Sequence, residues 1–277
     1  MTDNYLLQLI IAFVPALIYL ALIYLRTNRL VDIQKALAFF FFGFCSILVM
    51  LGTHMIFPEI LGYISYTEIS QPKSFTLYWP LNQSVPTEIA YIVHDFVQVA
   101  LVEELAKFSM FFVGLWLLKK KDRPNTLFSY MFYSCVVGAS FGMIENFVYF
   151  YNYSSSLTEE GLVSLMFSRS AYSVVLHMIV GMITGYLYAL STKAVLWVNK
   201  ISLVLSGILA STVIHGFFNY QLNHFTRYDF AGIDIVTLGI VLSSLCLCYS
   251  MANDLAKRDW DYDQLNSFKG IMKLIFK

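Results

Sequence analysis

Val97 to Leu118 reads VQVALVEELAKFSMFFVGLWLL, a helix-length apolar run that carries Glu103, Glu104 and Lys107. About 20 apolar residues cross the roughly 30 Å hydrocarbon layer of a bilayer, so these three charges are placed inside a membrane. An ionisable group at the bilayer centre costs from about 2.5 to above 10 kcal/mol, and such groups turn inward and mark working sites. An ion pair between Lys107 and one carboxylate a turn away explains two of the three. The second carboxylate is left to be explained by function.

The rest of the chain fits a membrane setting. Of 277 residues, 58% are hydrophobic, 17% aromatic and 13% charged, too apolar for an ordinary water-soluble domain. The formal charge is zero, which gives no reason to expect a nucleic-acid partner. Cys45, Cys135, Cys246 and Cys248 all fall in apolar runs without metal-ligand spacing and read as packing residues, not as a disulfide framework.

Apolar runs at roughly 4 to 25, 36 to 57, 89 or 97 to 118, 127 to 151, 162 to 190, 201 to 220 and 232 to 251 predict an all-α polytopic membrane helix bundle of about seven transmembrane helices. The first is too long for a signal peptide, and Arg26 and Arg29 follow it instead of preceding it. Lysine and arginine accumulate on the cytoplasmic side. Fourteen of them fall in the loops after spans one, three and five and in the tail, against Lys73 and Arg227 on the opposite side. The expected N-terminus is therefore outside and the C-terminus cytoplasmic.

Residues 1–251 form one transmembrane domain on this reading, with the polar core at about 89–220. The one long loop, 58–88, holds four of the six prolines and lies outside the cell. Its tyrosines and Trp79 suit the membrane interface. His94 and Asp95 read as wet residues at the outer end of span three. The tail, 252–277, ends in SFKGIMKLIFK, an amphipathic cytoplasmic segment suited to anionic lipid.

Three further spans carry polar groups at helical spacing. Span four places Phe141, Glu145 and Asn146 behind Gly138 and Gly142; span five places Arg169, Ser173, His177, Gly181 and Gly185 at intervals of four; span six repeats Ser211, His215 and Asn219 at the same interval. At about 1.5 Å per residue from the cytoplasmic ends, Glu103 lies at about 22 Å, Glu145 at about 27 Å, His177 at about 20 Å, His215 at about 21 Å and Asn219 at about 27 Å. The midplane is near 15 Å. Four helices threaded in alternating directions thus deliver their polar groups to the outer half. A lone intramembrane histidine is commonly an interhelical hydrogen-bond partner, and Glu145 has Arg169 within reach. The ionisable residues taken together point to one shared site.

Carboxylates, imidazoles and a carboxamide in a shielded cavity suit the activation of water. A buried carboxylate beside a like charge holds a proton more tightly than one in bulk water, as a general base near neutral pH requires. Donors on His and Asn could stabilise an oxyanion. Glu103, Glu145, His177 and His215 are equally the residue types that bind zinc, although no His-Glu-x-x-His is present.

Glu103-Glu104-x-x-Lys107, Phe141-x-x-x-Glu145-Asn146, His177 before glycines and His215-x-x-x-Asn219 resemble the successive motifs of the PrsW-type intramembrane proteases. These are distant relatives of the CAAX-processing and bacteriocin-processing membrane endopeptidases. The resemblance spans Glu103 to Asn219 in the expected order. It implies proteolysis of a membrane-anchored protein, in bacteria an anti-sigma factor cut on its extracytoplasmic side, and hence an integral protein of the bacterial inner membrane. By likeness to the CAAX-type relatives, Glu103 is the water-activating base, Glu104 and Lys107 are its charge partners, and His215 and Asn219 are the oxyanion donors. Glu145 stands where those relatives carry a histidine, which leaves its role open, with His177 available to supply the imidazole. The PrsW group is classed with metallopeptidases and its relatives are metal-free glutamate proteases, so zinc and no metal both remain open. A proton-coupled transporter or channel is the alternative use of such a cluster, and it predicts interrupted or repeated spans that are not visible here. A seven-span receptor would leave the cluster without a purpose.

Overall fold

The structure, a computed structural model, describes residues 5–26, 31–56, 74–77, 83–118, 124, 126–154, 157–224, 229–230 and 233–275. Its helices are α1 (Tyr5–Arg26), α2 (Ile33–Ile56), α3 (Thr87–Ile92), α4 (Val102–Leu117), α5 (Leu127–Tyr153), α6 (Glu159–Ser168), α7 (Val174–Lys193), α8 (Trp197–His224) and α9 (Ile235–Ile275). Two of the junctions are π-helical: Val93–Leu101 joins α3 to α4, and Arg169–Ser173 joins α6 to α7. Residues 74–77 with 83–86, and 229–230 with 233–234, make two short antiparallel ribbons.

Among the described residues, six helices are long and apolar enough to cross a membrane: Tyr5–Leu25, Ile33–Ile56, Leu127–Tyr153, Glu159–Lys193, Trp197–Leu222 and Ile235–Asp259. The expected third span is one unbroken helix from Thr87 to Leu117 but is not among the six, because its 16-residue α4 portion carries Glu103, Glu104 and Lys107. Most of loop 58–88 lies outside the described residues. Helix α9 continues without a break across the expected boundary at 251 and 252. The four cysteines are free thiols.

Helix α5 is the axis of the bundle. Its N-terminus is fully capped: Thr126 Oγ1 accepts from the Ser129 amide, while Asp259 on α9 accepts from the amides of Leu127 and Phe128 at 2.8 and 3.1 Å. From Leu127 to Met143 every residue but Tyr130 is buried, and the sequence there is mostly apolar with small serines and glycines between, as a helix enclosed on all sides must be. Small residues let α7 lie directly on it: a Cβ added at Gly138 would meet the His177 carbonyl oxygen, and one at Gly181 the Ser134 carbonyl.

The remaining helices are tied on by polar and aromatic contacts. Tyr133 of α5 bonds the backbone N–H and C=O of Asp32 at the start of α2 and stacks on Phe39, centroids 4.9 Å apart. Thr184 on α7 donates to Ser211 on α8, which donates to the Val180 carbonyl, both at 2.8 Å. These bonds bring α7 and α8 side by side one to two turns from His177 and His215.

Candidate active site

Glu103 and Glu104 open α4, immediately after the π-helical stretch, and both are buried, as is Lys107 one turn on. Consecutive positions on a helix point about 100° apart, so the two carboxylates have different surroundings. Glu104 Oε1 accepts from Lys107 Nζ at 2.6 Å and from His215 Nδ1 at 2.8 Å. Two buried partners compensate its charge. Because an ionised carboxylate only accepts, His215 carries its proton on Nδ1, and in the neutral ring Nε2 is a bare lone pair.

That lone pair faces Glu103. His215 Nε2 lies 3.7 Å from Glu103 Oε2, beyond hydrogen-bond length, and Glu103 Oε2 is buried without a hydrogen-bond partner. Two acceptors are thus aimed at one small space.

Lys107 Nζ also lies 3.0 Å from His177 Nδ1. An ammonium can only donate, so this nitrogen accepts and Nε2 carries the proton, which it donates to Glu145 Oε2 at 2.8 Å. The same carboxylate oxygen is 2.8 Å from Arg169 Nη2. The rings of His177 and His215 meet edge to face, 5.0 Å between centroids, and Phe141 packs on His177 at 5.2 Å. Lys107 sits over the Phe141 ring, which shields the ion pair from the rest of the core.

Six of the seven expected site residues are therefore joined in one cluster: Glu103, Glu104, Lys107, Glu145, His177 and His215. Asn219, one turn beyond His215, lines the adjoining cavity of about 680 Å³ with Glu145, His177 and His215. The cavity extends from the imidazoles toward the end of the bundle where α5 gives way to α6, past Tyr149, Tyr153 and Leu157. Asp95 corrects the reading from the sequence: it is 0% exposed and lines this cavity instead of lying wet at a helix end, because α8 packs along the π-helical stretch that carries it. His94 Nδ1 is 3.0 Å from its carboxylate. In the sequence Arg169 stands at the head of the polar series of span five and within reach of Glu145, with no role in the site assigned to it. The structure makes it part of the wall, and the signal that marked Glu103, a charge within an apolar span, marks it equally.

The donor set was tested for a metal. Ligand atoms of Glu103, His177 and His215 lie within 4.8 Å of one another. A tetrahedral zinc site, with bonds of roughly 2.0–2.2 Å to N and O, needs donors of this kind brought close together. Glu103 and His215 fit directly, since each presents an unpaired acceptor and Glu104 supports His215 from behind as outer-sphere carboxylates do. His177 has both nitrogens engaged, by Lys107 and by Glu145, and fits once one of them is released. Glu145 itself falls outside the trio, held by Arg169 and His177.

No curated protein and no solved structure matches the chain significantly. The model of one family does, over residues 32–247, which take in every side chain of this cluster. With its six membrane-capable helices and that match over most of its length, the chain is an integral membrane protease and belongs to the PrsW family of intramembrane metalloproteases.

Proposed function

We propose that this protease hydrolyses a peptide bond of a membrane-tethered protein near the extracytoplasmic face of a bacterial inner membrane, with an anti-sigma-factor-like protein as substrate. The proposal includes a seventh span through α3 and α4, an outside N-terminus, a cytoplasmic C-terminus and a catalytic core at about 89–220. The observation that carries it is the unpaired Glu103 carboxylate oxygen facing the bare His215 nitrogen at 3.7 Å, beside a polar cavity. A water molecule placed between them would donate to both.

In this reading Glu103 takes a proton from that water as its oxygen bonds to the peptide carbonyl carbon, and the carbonyl π electrons move to oxygen. Asn219 donates to the resulting oxyanion from the cavity wall. His215 joins it as a donor if its Nε2 gains a proton, the positive ring being balanced by Glu104. The oxyanion's electron pair then reforms the carbonyl and the carbon–nitrogen bond breaks, its electrons leaving with nitrogen. Glu103 passes its proton to that nitrogen, which yields a carboxylic acid and an amine. Lys107 keeps Glu104 and His177 in place throughout.

Glu103, His215 and a released His177 are the residues that would hold a zinc ion. Such an ion supplies Lewis-acid polarisation of the carbonyl and an acidified water. The test is to purify the protein, measure bound metal, and follow cleavage of single-span substrates with and without chelator. Cleavage abolished by chelation and restored by zinc identifies the metal form; cleavage that persists after metal removal identifies the glutamate form. Absence of cleavage of every single-span substrate, with ion flux in proteoliposomes instead, would overturn the reading in favour of the transporter, which gains no support from the family match.

A further inference from the structure

Arg169 belongs to none of the family-like motifs, yet its side chain in the cavity wall is held at both edge and face. Its Nε donates to Asn146 Oδ1 at 3.0 Å, and its Nη2 reaches Glu145 Oε2 at 2.8 Å and Ser173 Oγ at 3.2 Å. The guanidinium stacks 3.6 Å from the centroid of Tyr149. A planar fork with a defined edge and face satisfies all four contacts at once; a lysine ammonium cannot.

The consequence is carried through Glu145. His177 has one ring nitrogen fixed by Lys107, which forces the proton onto the other, and that proton needs an acceptor. Glu145 supplies it with the same oxygen that Arg169 holds. Without the guanidinium, the carboxylate would keep the neutral imidazole as its one close partner and lose the cation that balances its charge, so it would be free to turn into the cavity it lines. We infer that Arg169 is a positioning residue: by clamping Glu145 it holds His177 in a single tautomer and ring orientation beside Glu103 and His215. This rests on the reading of the cluster as a reaction centre and concerns its metal-free form, since zinc would release one of the two His177 contacts; it assigns Arg169 and Glu145 a role that neither the motifs nor the trio of possible metal donors contains.

The test uses the full-length protein in nanodiscs with isotope-labelled histidine, the His177 signals being identified as those lost in His177→Gln. With metal removed by chelator, wild-type His177 shows one tautomer, protonated at Nε2 and bare at Nδ1. In Arg169→Gln and Arg169→Lys a second tautomer appears or the Nε2–H signal moves toward that of a weakly bonded ring. kcat on a cleaved substrate falls about 10- to 100-fold, the range for loss of an outer-sphere orienting partner, with KM unchanged. An unaltered His177 signature in the folded variants, or a change confined to KM, overturns the inference. If Arg169→Gln does not fold, Ser173→Ala and Asn146→Ser each remove one contact to the guanidinium. Both then shift the His177 signal in the same direction by less, and an unaltered signal in both overturns the inference. The spectra need no substrate, so a chain that cleaved nothing would sink the proposed function and leave this result standing.

Discussion

Gly142 of α5 and the His177 ring of α7 are packed so closely that a Cβ on Gly142 would lie 2.8 Å from His177 Cδ2. The ring is trapped between that backbone and Phe141, with Lys107 and Glu145 at its two nitrogens. Its position is therefore a property of helix packing as much as of hydrogen bonding. Gly142→Ala should push the ring off its partners, destabilise the protein by about 1–3 kcal/mol and lower cleavage far more than the loss of folded protein accounts for. Thermal unfolding and cleavage rate measured on the same preparation check this; a variant with normal cleavage would show that the ring position is not critical.

Lys107 compensates Glu104 and fixes His177. Removing one member of a buried charge pair costs about 3–5 kcal/mol because the other is left uncompensated. Lys107→Met should lower the unfolding midpoint markedly, whereas Lys107→Met combined with Glu104→Gln should recover part of the loss. If the double variant is no more stable than the single one, the pair is not the reason for the cost.

Much of the cluster was legible in the sequence because charges in apolar runs are expensive and therefore conspicuous. Glu103, Glu104 and Lys107 needed only the span they sit in, and His215 and Asn219 only their spacing. What the sequence could not convey is which atom meets which. Glu103 and Glu104 are adjacent and identical in type, yet one accepts two hydrogen bonds at a single oxygen and the other has an oxygen with none. That difference arises from the position of α8, a tertiary fact. Asp95 reads as wet because its polar neighbours His94 and Gln98 suggest a helix end in water; what buries it is α8, packed along the π-helical stretch, which no local pattern reveals. The count of spans differed at the helix that carries Glu103, Glu104 and Lys107 within five residues, since polarity so concentrated works against the hydropathy signal.

Asp32 lies outside the spans and caps α2, accepting from the amides of Gln34 and Lys35. Slight burial pushes its carboxyl up, but these amides and the Lys35 ammonium outweigh it, and the group is held below its ordinary value. A group depressed in this way contributes stability above its unfolded value and loses it as pH falls through the folded one. Asp32→Ala should unfold at a lower temperature than wild type at neutral pH, and the gap should close below about pH 4. A gap independent of pH would mean that the carboxylate is not what caps the helix.

Tyr133 ties the start of α2 to α5 through the Asp32 backbone, well away from the cluster. Tyr133→Phe should cost about 1 kcal/mol, the usual net worth of a hydrogen bond, and leave cleavage by the folded protein unchanged. Lost cleavage without lost stability would show that this distant contact between α2 and α5 acts on the reaction.

The most direct measurement is the cleavage rate of Glu103→Gln on a single-span substrate, with folding confirmed by an unchanged unfolding midpoint. The amide retains the shape and removes the proton acceptor that faces His215, and a rate lowered by about 10²–10⁴-fold is the expected consequence of losing the general base. A folded Glu103→Gln enzyme that cuts as fast as wild type would contradict the assignment of the reaction to this pair of residues.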